Sequence, residues 1–310
     1  MVLKKRYKVM NVIDELKKEF HDGKCTKEDF IRRMHDIHKR LFEYSEALKD
    51  TDVSKIEITD SSVVMTTREL GIRITCDRYD ERIIPLEIIN FGDFEGDEMR
   101  AIKKIIKNDW TVFDVGANVG WYSLNLVKSF SNLNIFAFEP VPSTFKYLLT
   151  NLALNDADGV SAHNIGLSNE EGTKDMYFYR EGMGNASLLD LSERENVEKV
   201  STQFTTMDKF ASQHDLKPDF IKCDVEGAEL FVFQGAIETL KRDKPVVFTE
   251  MLRKWSAKFN YHPNDIIDFF SNLGYQCYTV ENDTFKKFSR VDDQTTETNY
   301  LFIHPDKITV

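Results

Sequence analysis

Residues 110–120 read Trp110-Thr111-Val112-Phe113-Asp114-Val115-Gly116-Ala117-Asn118-Val119-Gly120, and this run decides the fold. Its first half is β-branched and aromatic with no charge before Asp114, the character of a strand buried on both faces. Its second half is a glycine turn, and residues 119–130 then take up helical spacing. A strand, a tight turn and a helix in that order open an α/β sheet, in which ligands bind outside the carboxyl ends of the strands.

The same alternation continues downstream. Strand-like runs at 134–138, 160–165, 219–223 and 245–250 alternate with helical stretches at 143–155, 228–240 and 264–273. This predicts right-handed crossovers and a mostly parallel sheet. Two last runs, 276–280 and 299–303, are expected to close the sheet as an antiparallel hairpin. An insertion between Gly166 and Pro218 carries strand candidates of its own at 176–179 and 203–206.

Upstream, residues 97–107 are helical in spacing, while Ile56, Ile58, Val63, Val64, Met65 and Gly71-Ile72-Arg73-Ile74 alternate as short strands do. Residues 56–92 are therefore expected to be a β-rich lead-in to a main domain at 93–310. Residues 1–55 predict a helical hairpin. Tyr7, Val9, Met10, Val12, Ile13, Leu16 and Phe20 recur at helical spacing, Asp22-Gly23-Lys24 breaks the run, and Thr26 with Asp29 resembles a capping box. A second stripe follows through Phe30, Ile31, Met34, Ile37, Leu41, Phe42 and Tyr44. It must pack on the main domain or on a second copy, so a homo-oligomer contact through residues 1–50 is one of two roles open to it.

Composition narrows the class. The 310 residues are 41% hydrophobic and 30% charged, an ordinary globular balance, with no run near the roughly 20 apolar residues of a membrane span. The basic start, Met1 to Arg6, lacks the apolar core of a signal peptide, so a cytoplasmic protein with no membrane partner is expected. Cys25, Cys76, Cys223 and Cys277 are too scattered for a disulfide framework or a zinc site, which predicts reduced thiols; no metal ligands are assigned, and clustered Asp224 and Glu226 alone do not make a metal site. A formal net charge of -11 opposes nucleic acid and favours a small-molecule partner.

Three motifs carry chemistry. Gly116 and Gly120 allow a sharp turn and a close backbone approach to a ligand, but their G-x-x-x-G spacing lacks the middle glycine of the dinucleotide motif, which disfavours a nicotinamide cofactor. No P-loop motif occurs. In Phe138-Glu139-Pro140 a carboxylate stands at the tip of the neighbouring strand, where it can accept from both ribose hydroxyls of an adenosine ligand. The alternative is an exposed acid ahead of a helix starting near Pro142. In Phe220-Ile221-Lys222-Cys223-Asp224-Val225-Glu226-Gly227-Ala228-Glu229, three carboxylates and a lysine crowd one turn at the ligand edge, where acids also serve as helix caps.

D-V-G-A-N-V-G, F-E-P-V-P and I-K-C-D-V-E-G-A-E-L resemble the FkbM-type methyltransferase family. Asn151 to Asn155, Gly184-Asn185-Ala186-Ser187-Leu188 and Gln234-Gly235-Ala236 resemble further elements of that family in the same order. The resemblance spans about residues 92–280 and leaves residues 1–55 without a counterpart. It implies a class I methyltransferase (Rossmann-like) sheet, S-adenosyl-L-methionine as cofactor, and O-methylation of a hydroxyl on a sugar, glycan or other small metabolite. By the same resemblance, Asp114, Gly116, Ala117, Asn118 and Gly120 would hold the methionine end and Glu139 the ribose. Asn164, Ile165 and Gly166, after His163, would lie beside the adenine, Asp224 near the sulfonium, and Phe94-Glu95 over the cofactor. Asp224 or Glu226 would be the catalytic base, with Glu250 and His262 behind them; His262 precedes Pro263 and also fits a helix start. No DPPY or NPPY tetrapeptide follows Cys223, which favours oxygen over the amino groups of bases. The alternatives are a protein or RNA acceptor, or a catalytically silent cofactor-binding module used in assembly.

Overall fold

Strands shut off from water on both faces form the centre of the molecule. A computed structural model describes residues 11–191, 196–281 and 284–308 and divides the chain into two compact units, Met1–Thr51 and Asp52–Val310. In the larger unit, Val53–Ile58 (β1), Val63–Thr67 (β2) and Arg73–Thr75 (β3) make a small antiparallel sheet. Next come Thr111–Val115 (β4), Asn134–Phe138 (β5) and Val160–His163 (β6). The insertion contributes Gly166–Leu167 (β7), Gly172–Phe178 (β8) and Glu198–Thr205 (β9) as a separate sheet ordered β7-β9-β8. Phe220–Cys223 (β10), Val246–Glu250 (β11), Gln276–Glu281 (β12), Thr284–Phe288 (β13) and Asn299–Ile303 (β14) complete the set.

The main sheet runs β13-β12-β14-β11-β10-β4-β5-β6. Its five central strands are parallel, as the α/β alternation predicts, and β14 lies antiparallel between β11 and β12. The chain leaves β4 toward β5 and β6, then returns to place β10 and β11 on the other side. The crevice at the carboxyl ends of β4 and β10 is thus a topological switch point. Beneath it, Phe113, Phe138 and Phe210 meet edge to face, with centroids 4.8 to 6.0 Å apart.

Several expectations are corrected by tertiary contacts. The closing pair 276–280 and 299–303 is antiparallel, but the chain between them folds back as β13 on the outer side of β12, and Lys286 and Lys287 sit on this edge strand, which blunts it against further pairing. The end of the 56–92 stretch is helical over Ile84–Phe91, with Pro85 in the first turn and Gly92 (φ 101) stopping it. The 228–240 stretch splits into Glu229–Gln234 and Ile237–Asp243. Gly235 lies against the Ser168 carbonyl, and the Asp208 carboxylate accepts from Glu238 N and Thr239 N at 3.0 and 2.8 Å, capping the second helix from a distance.

The edge of β3 is closed by side chains from helix Pro142–Leu154 and its C-terminal residue. Asn151 accepts from Thr75 N at 2.9 Å and donates to the Val119 carbonyl at 2.8 Å, while Asn155 accepts from Arg73 N at 2.9 Å and donates to Arg73 O at 2.7 Å. Two asparagines thereby stitch the small sheet to the helix, and one also grips the glycine turn.

In the smaller unit, helices Val12–His21 and Lys27–His38 are joined by a Phe20–Phe30 stack at 4.6 Å and a Glu19–Arg33 ion pair at 2.7 Å. Thr26 accepts from Asp29 N at 3.1 Å, half of the expected capping box. The second stripe breaks at Lys39 and continues as Arg40–Ala47, with Leu41 and Phe42 exposed. Tyr7, Val9 and Met10 lie outside the described residues. No helix among the described residues is long and apolar enough to cross a membrane.

The glycine turn offers a direct test. Gly71 (φ +62) and Gly116 (φ +75) are both left-handed, but a Cβ at Gly71 meets open space whereas one at Gly116 runs into the Asp224 carbonyl oxygen. Gly71→Ala should cost about 1–2 kcal/mol in urea unfolding and Gly116→Ala clearly more; equal losses would show that the close approach to Asp224 is not limiting.

Candidate functional site

A cleft at the switch point holds about 890 Å³ of empty space, part of it open to solvent. Its floor is the turn after β4. Gly116 (φ 75), Asn118 (φ 50) and Gly120 (φ 93) are left-handed, so strand becomes helix within a few residues. Gly116 N and Ala117 N both donate to the Phe138 carbonyl, at 3.0 and 2.9 Å, and Gly120 N donates to the Ala117 carbonyl at 2.8 Å. A Cβ at Gly120 would press on Leu148 at 2.8 Å. The two glycines are thus needed for contact with the chain's own neighbouring loop and helix, a tighter demand than approach to a ligand.

Glu139 lies at the tip of β5, where its carboxylate accepts from Asn118 N at 3.0 Å and from Val141 N at 2.8 Å. Burial pushes it up to about 7 despite these two hydrogen bonds. Each oxygen keeps a lone pair for a further donor. Gly116, Ala117, Asn118, Glu139, Gly166, Asp224 and Glu226 all line the cleft.

Asp114, Gly120, Asn164 and Ile165 stand outside the lining. Asp114 accepts from Ser123 N at 3.1 Å and Ser123 Oγ at 2.6 Å, which ties β4 to helix Trp121–Ser129. Asn164 donates to the carbonyls of Glu139 and Pro140 at 2.8 and 3.0 Å, and Ile165 packs on the central core.

The acid-rich turn after β10 separates its carboxylates by role. Glu229 is buried, accepts from Val225 N at 3.1 Å, Gly227 N at 3.0 Å and the Tyr261 hydroxyl at 3.1 Å, and so braces the turn from within. Asp224 and Glu226 face the cleft instead. Glu226 is left-handed (φ 54), and its carbonyl accepts from Ser187 Oγ at 2.8 Å, fastening the insertion to the acid turn. Burial, then the charges of Asp224 and Glu229, push Glu226 up to about 8. Glu250, at the tip of β11, goes up to about 9 through burial and the charges of Asp224 and Glu226. His262 caps helix Pro263–Asn272 in a capping box with Asp265, which is a helix-start role. Among the described residues no group of three or more His, Cys, Asp or Glu is placed to hold a metal ion.

Lys222 is the buried cation of the site. Its Nζ donates to the Gly116 carbonyl at 2.8 Å and lies 3.7 Å from Asp114 and 3.6 Å from Asp224. Burial works against its charge, but Asp224, Asp114 and Glu95 outweigh it and raise the lysine above its ordinary range.

Glu95, Trp121 and Tyr122 also line the cleft, although no motif singled out the two aromatics and Glu95 entered only as part of a cover. The Tyr122 hydroxyl donates to Glu95, and burial pushes Glu95 up to about 7. The apolar triplet spacing of a helix start hides such residues, because the same pattern reads as core.

Comparisons with known proteins agree on a family. The Methyltransferase FkbM domain matches residues 114–277, more than half of the chain. Methyltransferase 1 of Beauveria bassiana is 27% identical over 146 residues, 41% of this chain and 59% of its own. Methyltransferase sdnD of Sordaria araneosa is 32% identical over 156 residues, 41% of this chain and 60% of its own. The hexuronic acid methyltransferase AglP of Haloferax volcanii is 30% identical over 165 residues, 50% of this chain and 62% of its own. The matches thus span about three fifths of the length of these relatives. The matched segment opens at Asp114 beneath the glycine turn and takes in Glu139, Asp224 and Glu226, and on that span the chain belongs to the FkbM methyltransferase family.

Proposed function

We propose that this protein transfers a methyl group from S-adenosylmethionine to a hydroxyl of a carbohydrate-like or other small acceptor. The observation that carries the proposal is the meeting of the glycine turn, Glu139, Asp224 and Glu226 in one cleft at the switch point of the sheet. The chain's own residues fit that donor. Phe138, Leu167 and Phe204 give part of the cleft an apolar wall suited to a purine, and Glu139 keeps acceptor capacity for ribose hydroxyls. Gly116, Ala117 and Asn118 would border the methionine end, Gly166 would adjoin the purine, and Asp224 would face the sulfonium. Asp114, Gly120, Asn164 and Ile165 shape these walls from behind.

When bound, the donor supplies an already electrophilic methyl group, so the protein's task is alignment of the acceptor oxygen and removal of its proton. Glu226 is the better placed of the two acids to take that proton. Asp224 shares its charge with the Lys222 ammonium 3.6 Å away, whereas Glu226 is held near 8, where a base can both ionise and accept at working pH. Asp224 would face the sulfonium, and the Lys222 ammonium, itself a cation, acts only by holding Asp224 in place.

The acceptor class is supported by the hexuronic acid named for one relative, by the net charge of -11, which disfavours RNA, and by the insertion residues Gly184, Ala186 and Leu188 at the cleft wall.

Calorimetric titration should give micromolar binding of S-adenosylmethionine and none of NAD; the reverse pattern would make the protein an oxidoreductase. With radiolabelled donor and a panel of hexuronic acid and neutral methyl glycosides, turnover should rise with pH through about 8, because the base works ionised. Glu226→Gln should lower kcat roughly 10²- to 10⁴-fold and abolish that rise while leaving donor affinity intact. If Glu226→Gln keeps full turnover and Asp224→Asn loses it, Asp224 is the base; label appearing on a protein or RNA alone would overturn the acceptor class.

A further inference from the structure

We propose that a polar groove beside the cleft holds a second sugar unit of the acceptor, so that the substrate is an oligosaccharide or longer glycan and not a free monosaccharide. The inference rests on the carbohydrate-like acceptor proposed above.

The groove lies between Asp77, helix Pro142–Leu154 and the paired ends of β8 and β9, where Phe178 stands opposite Glu198. It holds about 890 Å³ of empty space, part of it open to solvent, which is within the ~300–1,000 Å³ of ligand clefts.

Its wall carries both unbonded donors and unbonded acceptors. Lys146 and Arg180 line it, and neither forms an ion pair among the described residues. The Arg180 guanidinium lies 3.9 Å over the Tyr79 ring, which fixes the plane of its N–H fork. On the accepting side, Glu198 is likewise without an ion pair among the described residues. The Tyr147 hydroxyl donates to the Asp77 carboxylate and the Thr150 hydroxyl to the Lys146 carbonyl at 2.8 Å, so each keeps an oxygen that can only accept. Asp77 is occupied by the chain, since it also accepts from Tyr79 N and Asp80 N at 2.6 and 3.0 Å.

Two cations, Lys146 and Arg180, face two carboxylates, Asp77 and Glu198, so an ion of either sign is poorly matched. An anion would meet Glu198, and an ammonium would meet Lys146 and Arg180. A sugar hydroxyl both donates and accepts, which is what a mixed wall of free N–H groups and free oxygens requires. Phe178 adds an apolar patch for the C–H face of the ring.

Three stretches of chain lead from the groove to the cleft. Pro140 lines the cleft and Ser143 the groove. Met176 and Phe178, two residues apart on β8 and so on one face, line cleft and groove in turn. The turn Arg180–Asn185 starts in the groove and places Gly184 in the cleft wall. Val141, Met176, Phe178 and Phe204 pack together as a partition, so a single sugar ring cannot fill both spaces. A chain of sugars can, by passing over the 180–185 turn toward Ser187, whose hydroxyl is fastened to the Glu226 carbonyl.

The test uses radiolabelled donor and compares each methyl glycoside of the panel with the disaccharide and tetrasaccharide that end in the same sugar. Along each series kcat/KM should rise roughly 10- to 100-fold, mostly through KM; turnover confined to the longer members is the same gain in its extreme form. Lys146→Ala and Arg180→Ala should each remove most of the gain, with kcat and the KM of the methyl glycoside unchanged. Equal kcat/KM for glycoside and tetrasaccharide, a gain that survives both substitutions combined, or substitutions that weaken every acceptor alike would overturn the groove's role while the acceptor reading stands. Turnover of no saccharide by the unsubstituted protein would instead overturn the acceptor reading and the groove's role with it.

Discussion

One buried ammonium sustains the polar half of this site. Lys222 projects from β10 among Asp114, Asp224 and Glu95, and it holds the Gly116 carbonyl at 2.8 Å. Without a cation there, three carboxylates from three separate segments would face one another in a desolvated space, where like charges suppress ionisation and separate the elements that carry them. With it, the tips of β4 and β10 and the glycine turn are drawn to a single point. The desolvation of one lysine is thus offset by several partners at once, the condition under which a buried charge is tolerated.

Around that point the chain divides its acids by their hydrogen bonds. Glu229 spends its oxygens on the Val225 and Gly227 N–H groups and the Tyr261 hydroxyl, and one oxygen of Asp114 accepts from Ser123 N and Oγ while the other faces Lys222 at 3.7 Å, so both acids build turns. Asp208 does the same at a distant helix start. Glu226 and Glu95 have carboxylates in the cleft, and burial raises both well above the usual carboxylate range. Sequence position alone does not separate these roles, since Asp and Glu are enriched at helix starts in either case.

That limit marks what was legible before the fold was known. The β4 run was legible because burial on both faces leaves a continuous apolar signal, and the glycine turn because left-handed positions at 116, 118 and 120 need Gly or Asn. Residues lying next to each motif on the chain, such as Glu139, Asp224 and Glu226, came with it. The partnership of Glu95 with Tyr122 spans 27 residues and leaves no periodic trace. The break at Gly235 was hidden for the same reason, since it depends on Asp208 and Ser168 arriving from elsewhere. β13 was hidden because an edge strand rich in lysine lacks the alternation that marks a half-buried one. The family resemblance placed Asp114 at the methionine end of the ligand, whereas in the fold Ser123 holds one oxygen of its carboxylate behind the cleft.

The insertion is tied to the rest of the larger unit at two points. It is fixed to the acid turn by Ser187 Oγ on the Glu226 carbonyl and to the lead-in segment by Glu81 N on the Glu181 carbonyl at 3.0 Å. Between these anchors lie Gly184 and Ala186, small residues at the cleft wall, and the Gly184 backbone comes close enough to Asn118 that a Cβ would stand 3.1 Å from its amide nitrogen. A larger residue at 184 would therefore press on the turn that Lys222 holds, whereas changes on the solvent side of β8 and β9 would leave both anchors and the cleft lining intact. The insertion can vary freely only outside the few contacts through which it also holds the Glu226 turn in place.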